Sequence, residues 1–385
     1  MGGKERKGGM KPFMPPFCAR NSCRHHEYPR IDPYADFVPW GSYPTKAFGR
    51  VPRFRCTVCG KTFSVQTFRP DYYAKRVIDY DDIARRLASC ESLTAIGRSL
   101  GASTDTVSNR ISRASRQALA FESDQASTRH PEEDLAADGF ESFCCSQYYP
   151  NNIAILVGAT SQFVYAADHA TLRRKGRMTT AQKERRAVLD RKFRPDPQGI
   201  TKSFRRVAGE SLRVLSDGGR QSLTLWTDEH RSYPRAIGSS PCLVALRDAC
   251  RLVHRTISSR ASRTRDNPLF PVNYLDRELR KDLHEHVRET VCFGRNVNRQ
   301  MERLVLYQWW HNYRKPHRAR EDQGSHAEVA GYDPGRIREG LRTIWRERAW
   351  LSLTELTEAM RDSWLRNRST PLRDGKDYLP RFTGA

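Results

Sequence analysis

SLTLWTDEH, residues 222–230, decides the fold. It is short, apolar and bounded by polar residues, so it reads as a buried strand, and it ends on a carboxylate, Asp228. Tyr233 and Pro234 then lead the chain away. An acid at the end of a buried strand is costly unless it has a partner or a cation.

Upstream, DLAADGFESF (134–143) is a strand candidate with Asp138 between its apolar residues. NIAILVGAT (152–160) and FVYAADHATL (163–172) are two more. Only short turns separate them, which predicts a three-stranded antiparallel meander. A helical segment follows at Thr201–Ser216, and downstream of the opening stretch VHRTIS (253–258) is a further strand. Leu275, Leu279, Leu283, Val287 and Val291 then predict helix from Asn273 to Asn312. Three antiparallel strands, a helix, a strand and closing helices are the order of a ribonuclease-H-like α/β core with a mixed sheet. In that fold an acid on the first strand and one at the end of the fourth meet at the sheet centre, and a later helix brings a third. Such carboxylates hold two Mg²⁺ or Mn²⁺ ions, which activate a hydroxyl and stabilise the leaving oxygen of a phosphodiester.

The N-terminal part carries a second chemistry. RFRCTVCGKTF (53–63) holds Cys56 and Cys59, and Cys18 and Cys23 lie upstream: C-x4-C, 32 intervening residues, C-x2-C. Two knuckles brought together by a hairpin supply the four tetrahedral thiolates that zinc prefers. Gly60 suits the tight turn, and Arg53–Arg55 and Thr62–Val65 read as the flanking strands. His25 and His26 are close enough in sequence to replace a cysteine. No βαβ pattern surrounds the pair, which argues against a redox site. Cys144, Cys145, Cys242, Cys250 and Cys292 are expected to be packed thiols.

Next, Asp81–Ser89 reads as a short helix, and SLTAIGRSLGASTDTVSNRISRAS (92–115) as two more. Leu93, Ile96 and Leu100 form one stripe, Gly101 ends it, Ser103 or Thr104 caps the next helix, and Val107 and Ile111 continue inside. That is a helix-turn-helix. Its second helix is expected to expose Thr104, Asp105, Thr106, Ser108, Asn109, Arg110 and Arg113 toward base edges and phosphates.

Composition agrees with a polyanionic partner. The 385 residues carry 67 Lys plus Arg against 44 Asp plus Glu, a net charge of +23. No run of 18 apolar residues appears, and MGGKERKGGMKPFMPPF lacks a signal-peptide core, so a reducing, cytoplasmic setting without membrane contact is expected. The basic stretches 171–197 and 254–273 read as mobile, solvated segments suited to a DNA backbone. Trp309, Trp310 and Tyr313 lie among basic residues, where they either pack inside or stack on an unpaired base; helical spacing favours the core.

The order of ribbon, helix-turn-helix and acidic core resembles bacterial insertion-sequence transposases of the DDE type. RFRCTVCGKTF, LWTDEHRSYPRAI (225–237) and LRKDLHEHVRETVCFGRN (279–296) carry the likeness, which spans roughly residues 18–315. The resemblance implies Asp138 and Asp228 as the first two metal-binding acids. Laid on the family pattern, the expected glutamate falls on Asn273, a poorer ligand. Asp276, one helical turn later on the same face, is the expected third acid, with Glu278, Asp282 and Asp266 as alternatives. It further implies end binding, phosphodiester cleavage and strand transfer on double-stranded DNA by a homodimer or higher assembly at the bacterial nucleoid. An inactive, transposase-derived regulator and a structure-specific nuclease are the alternatives.

The expectation is thus a multidomain α+β chain. It has a zinc ribbon with a disordered start (1–70), a helix-turn-helix domain (71–120) and a linker (121–133). A catalytic domain (134–320) with a basic insertion (171–200) and a helical C-terminal region with a tail (321–385) complete it.

Overall fold

A computed structural model describes residues 13–28, 32–287, 290–319, 324–366 and 368–373. The start and tail expected to be disordered, and Arg288 of the quoted likeness, lie outside the described residues. The chain divides into two compact units, Met1–Ile78 with Arg346–Leu353, and Asp79–Trp345 with Thr354–Gly384.

The first unit is built on an antiparallel sheet of β1 (Phe37–Thr45), β2 (Gly49–Cys56) and β3 (Thr62–Ser64). In β2 Val51, Phe54 and Cys56 face inward and the arginines between them do not, and Phe54 sits opposite Phe63 of β3. Phe37, Phe54, Phe63, Phe68 and Trp350 pack around the sulfurs of Cys18, Cys23 and Cys56. The rings meet edge-on, at 5.6 Å for Phe37–Phe63 and 5.3 Å for Phe17–Trp350, the favoured geometry for aromatic pairs.

In the second unit three helices, Tyr80–Leu87, Leu93–Ser99 and Thr104–Ala126, lead into a five-stranded sheet. Its strands are β4 (Leu135–Cys144), β5 (Ser146–Gly158), β6 (Val164–Thr171), β7 (Leu223–Asp228) and β8 (Leu252–Ile257). The order is β6-β5-β4-β7-β8. β5 runs antiparallel to both neighbours, whereas β7 is parallel to β4 and β8 to β7. Ile153–Val157 of β5 is buried on both faces, which is why that strand reads as one apolar run. Helices Gly199–Gly209 and Phe270–Asp282 both pack on β5, and Phe270–Asp282 also lies against β4. The molecule is therefore mixed α+β, with a three-stranded sheet, a five-stranded mixed sheet and a four-cysteine cluster. Among the described residues no helix is long and apolar enough to cross a membrane.

Four expectations change. The helix predicted over Asn273–Asn312 is two, Phe270–Asp282 and Val297–Tyr313. Leu283 turns extended, Val287 and Val291 are exposed, and the chain brings the Gly294 carbonyl to the Cys145 N–H at 2.8 Å, where a continuous helix would not pass. The stretch read as a linker continues the long helix to Ala126, because Phe121, Gln125 and Ala126 are buried. The basic stretch after β6 holds a helix, Thr180–Lys192, opened by a capping box between Thr179 and Gln182. Cys242, Cys250 and Cys292 are exposed rather than packed; Cys144 is buried as expected and Cys145 partly so.

Candidate metal and nucleic-acid sites

The cysteine site begins with local geometry. Gly60, at φ +69°, lets its N–H reach the Cys56 carbonyl at 3.0 Å, while the Cys56 N–H binds the Lys61 carbonyl at 3.0 Å. On the other knuckle the Cys18 N–H binds the His25 carbonyl at 2.8 Å. These turns bring four sulfurs within 4.8 Å of one another. Cys18–Cys59 is 3.5 Å and Cys23–Cys56 is 3.9 Å; tetrahedral ligands about 2.3 Å from one zinc ion lie about 3.8 Å apart. Burial pushes the Cys18 and Cys23 thiols up. Cys59 is held down against its own burial by the Lys61 N–H and the neighbouring sulfurs. Four thiols this close ionise together only when a cation neutralises them. The donors therefore fit a metal such as zinc.

Neither histidine joins the set. His25 Nδ1 lies 3.6 Å from Asp36, and His26 is held between the Cys18 carbonyl at 2.7 Å and Ser352 Oγ at 2.5 Å.

The acidic site follows from register. In the parallel ladder Leu135 pairs with Leu225 and Ala136 with Trp226. Asp138 and Asp228 each lie three residues beyond Leu135 and Leu225, so they stand level on adjacent strands, which run about 4.8 Å apart. The Gly139 N–H and the Tyr233 hydroxyl both donate to Asp138 Oδ1, at 2.7 and 3.1 Å. The His230 N–H donates to Asp228 Oδ1 at 2.8 Å. Burial, then the charge of Asp228, raise the Asp138 carboxyl above its ordinary value. Burial, then the charge of Asp138, raise Asp276 well above its own. Asp276 Oδ1 is shut from solvent and has no hydrogen-bond partner. Tyr233 feels all three carboxylates, which add to burial in pushing its phenol up.

The other acids of that helix are engaged elsewhere. Glu278 pairs with Lys281 and Lys315, and Asp282 accepts from Tyr307 at 2.9 Å. Asp266 is exposed. Asn273 accepts from Arg263 at 2.9 Å and donates to the Leu269 carbonyl at 2.9 Å. Among the described residues only the four cysteines bring three or more ligand atoms within 4.8 Å of one another. Asp138, Asp228 and Asp276 do not meet that spacing.

Sequence reasoning passed over Tyr233 and Arg263 as site residues. Tyr233 is positioned by stacking on Phe204, ring centres 4.1 Å apart. Its only signal was its place five residues after Asp228.

In the helix-turn-helix, Ser103 caps the long helix by accepting the Thr106 N–H at 3.2 Å. Gly101 has φ +58°, and a Cβ on Gly97 would meet the Ala102 carbonyl at 2.7 Å, so the turn needs both glycines. Thr104 is exposed; Thr106, Ser108, Asn109 and Arg113 are partly so, with Arg113 donating to Asn109 at 2.9 Å. Arg110 corrects the expectation: it is 4% exposed, because it shares the inward stripe with Val107 and Ile111. Trp309 and Tyr313 are core, and Tyr313 meets Phe121 edge-on at 4.8 Å.

Comparison with protein-family models and with curated proteins finds no match for this chain.

Proposed function

We propose that the chain is a DNA transposase of the DDE type, with Asp138, Asp228 and Asp276 as its metal-binding acids. The observation that carries this is the level placement of Asp138 and Asp228 on adjacent parallel strands, with the unpartnered Asp276 carboxylate in electrostatic reach. The strand order, with an antiparallel second strand, is the one expected of a ribonuclease-H-like core and supports the reading.

Half-buried carboxylates, of which Asp138 and Asp276 are each raised by burial and a neighbouring acid and Asp276 has an orphaned oxygen, are donors suited to hard divalent cations. Mg²⁺ or Mn²⁺ held there would activate the attacking oxygen and stabilise the leaving oxygen of a phosphodiester. The protein's own groups do the positioning. Tyr233 and the Gly139 N–H fix the Asp138 carboxylate, and the His230 N–H fixes Asp228. Arg263 and Arg280 place positive charge near Asp276, where a DNA backbone would need it. The four-cysteine unit, with zinc as its cation, and the helix-turn-helix bind the element ends. Double-stranded DNA is the partner, and two copies or more pair the ends.

The test is Mg²⁺- or Mn²⁺-dependent cleavage of supercoiled plasmid carrying the element ends, wild type against Asp228→Asn. Cleavage that the substitution abolishes, with DNA binding retained, is the expected result. Binding without cleavage under either metal overturns the enzyme and leaves a DNA-binding regulator, the reading that Asn273 at the expected glutamate position favours.

A further inference from the structure

A groove of about 770 Å³ opens in the first unit, on the ribbon and the returning segment. Lys46, Arg53, Lys61 and Lys75 line it, and no aspartate or glutamate does. None of the three lysines forms an ion pair among the described residues, and all three are exposed. Cations gathered without counter-charge mark a surface for an anion.

The aromatic residues narrow the ligand. Tyr43, Tyr72 and Tyr73 share the wall. Tyr72 and Tyr73 lie 4.2 Å apart, centre to centre, and Arg348 sits 4.5 Å over the Tyr72 ring. Tyr73 is 79% exposed and holds a left-handed backbone, φ +56°. That conformation is rare for a bulky residue and tends to persist at binding sites. Apart from its contact with Tyr72, this large ring is held out in water at such a cost with a face left open.

Gln66 supplies the third feature. It lines the groove and is 7% exposed, and its Nε2 is shut from solvent with no hydrogen-bond partner. A buried amide with an unused donor calls for an acceptor from a ligand. Flanking cations, an exposed ring and one unused amide donor are what a nucleotide with its base free of the helix requires: charge for the phosphate, a face for stacking, a donor for a base carbonyl or ring nitrogen. Duplex DNA keeps its base faces stacked inside and would use only the lysines.

We propose that this groove binds an unpaired nucleic-acid strand, with a base stacked on Tyr73 and its backbone along Lys46, Lys61 and Lys75. The proposal rests on the transposase reading only in taking that strand to be DNA, such as a frayed or cleaved end. It stands whether or not the acids are catalytic.

The test uses the full chain carrying Asp228→Asn, so that cleavage plays no part. A fluorescein-labelled dT oligomer of about 12 nucleotides and a duplex of equal length are titrated by anisotropy. Tyr73→Ala is expected to weaken dT binding by about 5- to 100-fold and to leave duplex binding unchanged, with Tyr73→Trp restoring it. Zinc content and thermal midpoint show that the ribbon stays folded. In parallel, 5-iododeoxyuridine in the oligomer is photo-crosslinked and the adducts mapped, with Tyr43, Tyr72 or Tyr73 expected. Unchanged dT affinity on Tyr73→Ala, equal weakening for duplex, or adducts confined to other parts of the chain overturns the proposal.

Discussion

Glu302 shows what single residues contribute to this basic protein. It is 3% exposed and pairs with Arg116 at 2.9 Å, Arg299 at 3.0 Å and Arg366 at 2.5 Å. Burial would push its carboxyl up, but the three guanidiniums hold it below its ordinary value of 4.5. Burial and their mutual repulsion bring Arg116 down to about 10 and Arg366 to about 9, so both keep their charge at neutral pH. Glu302→Gln leaves those charges buried and uncompensated, with an expected loss of about 3–5 kcal/mol in urea unfolding. The folded-state value is the depressed one, so the stabilisation is full above the ordinary value and drains as pH falls through the lower one. Wild type should therefore lose stability below about pH 4.5 more steeply than Glu302→Gln. On the proposed reading Tyr233→Phe acts differently. It removes a donor that lowers Asp138, so the acid limb of the cleavage pH profile should move to higher pH, which a rate series across pH checks. Glu302 and Tyr233 were both hidden in the sequence, because a salt bridge across 186 positions and a hydroxyl aimed at another strand leave no local pattern. The places of Asp138 within β4 and Asp228 at the end of β7 were legible, because a charge inside or at the end of an apolar strand breaks the rule for its surroundings.

Elements were easiest to read where hydrogen bonding and periodicity agree. The five strands of the large sheet and the turn between Leu93–Ser99 and Thr104–Ala126 stand where the apolar runs, Gly101 and Ser103 put them. Helix ends were harder. The sequence after Asp282 keeps a helical spacing of leucine and valine, yet only Leu283 is buried, Val287 is 40% exposed and Val291 85%, so the apparent stripe stops at its first residue. Conversely, the polar composition of 121–126 looked like linker while its Phe121 and Gln125 sit inside. Both errors have one cause: which face a segment buries is decided by its tertiary neighbours. The two glycines of the helix-turn-helix give an element-scale prediction. Gly101→Ala meets no atom within 4 Å but must hold φ +58°, which costs about 1–2 kcal/mol. Gly97→Ala would meet a backbone carbonyl at 2.7 Å, which has little room to yield, so it should cost about 1–3 kcal/mol. Thermal unfolding of the two variants should rank them in that order, and on the proposed reading DNA affinity should fall further for Gly97→Ala because the turn itself must shift.

At the scale of the molecule the ribbon is not made from its own stretch of sequence. Residues 346–353 return 268 positions after Ile78 to complete it. The Arg348 N–H binds the Phe68 carbonyl at 2.8 Å, and Trp350 is 4% exposed against Phe17, His26 and Phe68. Nothing local marks these residues, since the contact joins two distant places in the chain. The aromatic core wraps the cysteines, so metal binding and ring packing should be one cooperative event. Two outcomes follow. On the proposed reading, with zinc as the cation, chelation should release one zinc ion per chain and shift the emission of Trp350 to longer wavelength as its pocket opens. Trp350→Ala should cost the ribbon about 3–5 kcal/mol and speed zinc transfer to a chromogenic chelator at neutral pH, although residue 350 lies far from every cysteine in sequence. If zinc leaves the variant no faster than wild type, the cluster holds its metal by the knuckles alone and the returning segment only covers them.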